Sequence, residues 1–246
     1  MKKVLIYIAI ILAVLIIAGI TTCTVISKDL PQGKDSPETE KMVSQMWEAL
    51  NKSAWDSTRY VMWSFRGANH YKWDKESNLA EIKWDNNRVL LDPDNISGIA
   101  YENDKKVDEA SAQNLIDNAW SKWCNDMFWL TAPFKVMDPG TELTLVEHEE
   151  GDRLKVTYMD GGVTPGDSYI WVFDNDGMPK AYEMYVEILP VKGVYVPWQD
   201  WVTLSTGAKL SSKHEIAGAA LELENIKGGM DLNDINEDSD IWEEIR

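Results

Sequence analysis

Little in this chain could build a stapled or metal-bound fold: 246 residues hold two cysteines and three histidines. Two cysteines exclude a disulfide-rich scaffold and a cysteine-type zinc site. His70, His148 and His214 are too scattered in the sequence to suggest a histidine-rich metal site. Basic clusters are missing too. Lys and Arg number 24 against 41 Asp and Glu, for a net charge of −17. A surface that contacts phosphates needs clustered cations, so nucleic acid is excluded as a partner. For the same reason charge alone would not hold the chain on anionic lipid. Phenylalanine is scarce at 4 residues, yet there are 12 Trp and 9 Tyr. Hydrophobic residues at 44% and charged ones at 26% are typical of a folded globular protein.

Catalytic signatures are also missing. There is no Gly-x-Ser-x-Gly elbow, His-Glu-x-x-His, Walker loop or dinucleotide fingerprint. Cys124 is formally a candidate nucleophile, but a thiol at the end of an apolar helix reads more simply as packing. Asp174, Asp176, Gly177 and Glu183 resemble part of a calcium loop. Pro179 and the strand-like run after it favour a hairpin turn instead. Among 41 acids no carboxylate pair stands out as glycosidase-like. The expectation is therefore a non-catalytic protein with no cofactor and no metal site.

The most conspicuous presence is an uncharged run from Val4 to Ile26, preceded by Lys2 and Lys3. At about 1.5 Å per residue it measures roughly 34 Å as a helix, enough for a hydrocarbon core of about 30 Å. Positive-inside logic puts the rest of the chain outside the cytoplasm. Residues 1–26 thus read as a single transmembrane anchor of a cell-envelope protein. The alternatives are a lipoprotein acylated at Cys23, for which Thr22 is an ill-fitting neighbour, and a cleaved signal, for which the run is long. Residues 27–36 read as a linker, 37–230 as one exported domain, and the acid-rich 231–246 as a flexible tail.

Within the domain, Ser36-Pro37 suits a helix start, and Met42, Val43, Met46, Trp47, Leu50 and Ala54 recur at helical spacing. From Arg59 the period becomes two, as Val61, Trp63 and Phe65 alternate with Tyr60, Met62 and Ser64. Similar alternation carries Tyr71 and Trp73, Ala80 to Trp84, Leu143 and Leu145, Leu154 to Tyr158, Tyr169 to Phe173 and Tyr182 to Ile188. Residues 194–205 and 208–214 read as the last hairpin. Between the strand runs, Asp108 caps a second helix whose apolar face runs through Ala112, Ile116, Ala119 and Trp123 and which is predicted to end near Asn125-Asp126. The fold class is mainly β (α+β): a large curled antiparallel sheet, or half-barrel, of nine to eleven strands, with an N-terminal and an internal helix.

Trp63, Trp73, Trp84, Tyr158, Tyr169, Trp171 and Tyr182 all take the inward parity of their strands. They form either a packed core or the wall of an apolar cavity left where a curled sheet exceeds what its helices cover. Wide amphipathic rings suit such a wall, and each buried indole N–H would then want a partner. These seven are the candidate ligand-binding residues.

The order of helix, strands, internal helix and further strands resembles the Lol-type lipoprotein carriers, whose fold is an unclosed curled sheet covered by helices. The stretches WCNDMFWLTAPFKVMDPGTEL (Trp123 to Leu143) and GGVTPGDSYIWVFDNDGMP (Gly161 to Pro179) are similar to a family of bacterial envelope proteins that carry an N-terminal anchor or lipoprotein signal. The resemblance spans roughly Pro37 to Gly229 and implies a carrier-like fold, with an apolar ligand or envelope lipid or lipoprotein as partner. It brings no assigned activity. A diffusing carrier is incompatible with a transmembrane anchor, so the anchor implies a fixed acceptor or chaperone. A structural or protein-interaction module with a filled core is the alternative reading, and a glycan-acting enzyme the third.

Overall fold

The structure, a computed structural model, describes residues 26–161 and 164–246. The anchor over residues 1–26 lies outside the described residues except for Ile26. Among the described residues no helix is long and apolar enough to cross a membrane.

Helix α1 (Glu38–Leu50) follows Pro37, and the Ser36 hydroxyl accepts from the Glu38 N–H at 3.2 Å. It stops at Asn51, whose φ of 56° leaves the helical region, and α2 (Lys52–Ser57) adds a short second piece. Helix α3 (Glu109–Thr131) starts where the Asp108 carboxylate accepts from the Ser111 N–H at 3.2 Å. Among the described residues, thirteen strands make one antiparallel sheet. The first six are β1 (Tyr60–Phe65), β2 (Asn69–Asp74), β3 (Leu79–Trp84), β4 (Asn87–Asp92), β5 (Ser97–Glu102) and β6 (Lys105–Lys106). The rest are β7 (Thr141–Val146), β8 (Arg153–Tyr158), β9 (Ser168–Phe173), β10 (Pro179–Tyr185), β11 (Val194–Thr203), β12 (Lys209–Ile216) and β13 (Ala219–Gly229).

The order is β6-β5-β4-β3-β2-β1-β13-β12-β11-β10-β9-β8-β7, two meanders joined where β1 pairs with β13. Helix α3 connects the two outer edges, β6 and β7. Thirteen strands at about 4.8 Å spacing would span roughly 58 Å if flat, whereas a helix of 23 residues measures only about 34 Å. The sheet therefore curls, and α1 and α3 lie in its concavity. The inward row meets them in one core that includes Met46, Leu50, Val61, Trp63, Ile82, Leu91, Trp123, Leu154, Trp171 and Val196.

Four expectations are corrected. Helix α3 runs past Asn125-Asp126 to Thr131, because Asp126 is buried and hydrogen-bonded inside: its carboxyl group accepts from the Tyr71 hydroxyl at 2.5 Å and the Asn69 amide at 2.7 Å. The hairpin expected to be last is followed by β13, which closes onto β1 through a register shift between Met62 and Ser64. The segment read as a linker is tied to the sheet: Lys34 and Leu145 exchange two backbone hydrogen bonds of 2.9 Å. The acidic tail is packed rather than flexible. Trp242 and Ile235 are fully buried against Tyr60, Leu79 and Leu90 on the outer face, and Arg246 donates to Asp74 at 2.7 Å. Two apolar anchors and an ion pair outweigh the repulsion that an acidic composition suggests.

Candidate functional site

The helical face of α3 and the two-residue period of the sheet meet in different ways in the two halves of the concavity. Over β1–β4 the contact is filled. Trp63 stacks on Tyr71 at 4.7 Å between ring centroids, and Trp123 of α3 lies 5.7 Å from Trp63 and 5.2 Å from Trp73. Trp55 of α2 stacks on Phe134 at 4.8 Å. Trp63 and Trp84 are buried in this packing.

Over β8–β10 the contact is open. Residues 132–134 form a turn of 3-10 helix after α3, and the chain then leaves for β7. A cavity of about 450 Å³ remains. Its roof is the last turns of α3, with Cys124, Met127, Phe128 and Trp129. Its floor is Tyr158, Tyr169, Tyr182 and Met184 from β8, β9 and β10. Lys135, Asp138 and Asp160 line it from the segments after α3 and β8, and Val186, Ile188 and Leu189 from the segment after β10. The rings interlock around the space: Phe128 lies 5.4 Å from Tyr158 and 5.0 Å from Tyr169, and Tyr169 lies 5.1 Å from Tyr182.

The seven expected residues therefore separate. Tyr158, Tyr169 and Tyr182 line the cavity. Trp63, Trp84 and Trp171 are core residues, and Trp73 packs at the edge of that core with its N–H on Asn78 at 3.2 Å. None of the four tryptophans is brought to the cavity wall. The expected acceptors for buried indoles are also not found for Trp63 and Trp171 among the described residues. Their N–H groups lie in an aromatic cluster, with Trp171 edge-on to Tyr182 at 5.1 Å.

Sequence reasoning missed Met127, Phe128 and Trp129, because the polar pair Asn125-Asp126 read as a helix end. The signal was there: Trp123, Met127 and Leu130, at i, i+4 and i+7, continue the apolar face that Ile116, Ala119 and Trp123 set at i, i+3 and i+7.

The titratable groups of the lining are mostly buried. Burial pushes the Cys124 thiol up to about 11, so it stays protonated at neutral pH and is a poor nucleophile. Burial likewise raises the Tyr158, Tyr169 and Tyr182 phenols, which remain neutral donors. The hydroxyls of Tyr158 and Tyr182 have no protein partner among the described residues. Two of the lining acids have partners. Asp138 pairs with Lys135. Asp167 is buried and accepts from the Glu187 N–H at 2.8 Å, in the segment after β10. At the opposite end of β9, Asp174 accepts from the backbone N–H groups of Asp176 and Met178 at 3.0 and 2.9 Å, which is a hairpin turn. Glu183, the fourth member of the calcium-like pattern, is held on the outer face by Lys28 at 3.0 Å and Arg153 at 3.1 Å.

No protein-family model and no curated protein matches the chain. Among solved structures, a domain from Vibrio parahaemolyticus whose name refers to outer membrane lipoprotein sorting aligns at a TM-score of 0.32 with 9% identity, over 80% of this chain and 97% of that one.

Proposed function

We propose that the chain is a non-catalytic envelope protein, anchored by residues 4–26, that holds one apolar ligand in the concavity of its sheet. The ligand class is an acyl chain or a lipid carrying one. The observation that carries this reading is the cavity between α3 and β8–β10. Its volume of about 450 Å³ falls in the roughly 300–1,000 Å³ range of small-molecule sites, and such sites combine apolar walls with a few polar groups. Each methylene buried there contributes about 0.8 kcal/mol. The Tyr158 and Tyr182 hydroxyls are buried in the wall without a protein partner among the described residues. With the anchor in place, the role is that of a fixed acceptor or chaperone rather than a shuttle.

The filled packing over β1–β4 favours the alternative, an envelope interaction module without a ligand. Sugar stacking would need exposed indole faces, and Trp63, Trp84, Trp171 and Trp198 are buried.

Native mass spectrometry of the full-length chain released from lipid nanodiscs tests the proposal. It should show an adduct of lipid mass. Leu189→Trp, at a half-buried position of the opening, should reduce that adduct at least tenfold. A bare mass for the unsubstituted chain contradicts the proposal and leaves the module reading.

A further inference from the structure

We infer that the opening of the cavity rests on the bilayer surface, so that an acyl chain enters from the membrane without crossing water. This rests on the ligand and anchor readings above and adds an orientation to them.

Three loops at one end of the strands contribute residues to the cavity lining: 135–140, 158–161 and 186–189. Each carries one exposed large apolar side chain, namely Met137 at 49%, Met159 at 58% and Ile188 at 78% exposure. Ile188 lines the cavity itself, and the other two adjoin the lining residues Asp138, Tyr158 and Asp160. Apolar tips on three separate loops around one opening form a patch, which marks an interaction surface, whereas singly scattered ones do not.

The chain enters the domain beside this opening. The Lys28 N–H donates to the Lys192 carbonyl at 3.0 Å, and the Lys192 N–H donates to the Ser27 hydroxyl at 2.9 Å. The Lys192 ammonium donates in turn to the Val186 carbonyl at 2.5 Å, on the loop that carries Ile188. Ile26, the last residue of the uncharged run, is 55% exposed and lies one residue from this attachment. A membrane segment that ends there leaves the 186–189 loop no room to stand far from the interface. The occupant is therefore the bilayer in which residues 4–26 sit. The tips would insert shallowly, as interfacial apolar groups do at about 5–10 Å depth. With a net charge of −17 the contact is apolar rather than electrostatic. The antiparallel order puts the other apolar tip on a hairpin turn, Ile96 between β4 and β5, at the opposite end of the strands. It serves as the control.

The test uses the full-length chain with Cys23→Ser and Cys124→Ala, reconstituted into phosphatidylcholine vesicles with and without brominated acyl chains. A fluorophore is placed at Met137→Cys, Met159→Cys, Ile188→Cys or Ile96→Cys, one site at a time. Bromine should quench each of the three rim labels at least twofold more than the Ile96 label. Equal quenching at rim and control overturns the inference, as does a chain that fails to partition with the vesicles. A lipid adduct in the mass spectrum together with unquenched rim labels keeps the cavity and removes only its orientation. Quenched rim labels without an adduct do the reverse.

Discussion

The two ends of one sheet use the same aromatic alternation for different purposes. Along β1–β4, Trp63, Tyr71 and Trp73 meet Trp123 and disappear into a packed core. Along β8–β10, Tyr158, Tyr169 and Tyr182 take the same parity and meet only the end of α3, so space remains above them. The strands do not decide between core and cavity. The cover does: a helix about 34 Å long cannot seal a concavity built from thirteen strands, and the uncovered part falls where α3 gives way to residues 132–140. Composition follows this division. Tryptophan dominates the filled half, where area buried is what counts, and tyrosine lines the open half.

The largest effect should separate the halves by stability. Trp63→Ala leaves a hole in a packed region and should cost about 3–5 kcal/mol, read as a lower urea midpoint. Tyr169→Ala, on a wall with an empty side, should cost only about 1–2 kcal/mol while weakening acyl-probe binding. Equal losses would erase the distinction.

A second test uses acidity at the boundary of the cavity. His214 on β12 is fully buried, bonds the Trp129 carbonyl at 2.9 Å through its ring N–H, and has its titration pushed down by burial from 6.5 to about 4. It is neutral in the folded state, whereas in the unfolded chain it takes up a proton below about 6.5. Its folded pKa is depressed, so folding is not penalised above 6.5. Stability falls as pH drops from 6.5 toward 4, by about 3 kcal/mol at 1.36 kcal/mol per unit, and levels off below. Urea midpoints across that window should show the slope, and His214→Gln should flatten it. A slope unchanged in the variant would place the titration elsewhere.

Much of this architecture was legible in the residues. Alternation at Trp63, Tyr71, Ile82, Tyr169 and Tyr182 fixed which face of each strand points inward, and Asp108 marked the start of α3. Three features were hidden because their cause lies far off in sequence. Asp126 reads as a helix end until Tyr71 and Asn69 are seen beside it. The acidic tail reads as mobile until Trp242 is seen stacked on Tyr60 at 6.0 Å. The division of the aromatic row depends on where α3 stops covering the sheet, which no strand's own pattern records.

The most direct test of the cavity account is anomalous diffraction from crystals of the protein soaked with a terminally brominated fatty acid. The account predicts one bromine peak in the cavity between α3 and β8–β10, beside Phe128 and Tyr169. A peak elsewhere, or none at saturating ligand with those rings as close as they are here, would contradict it.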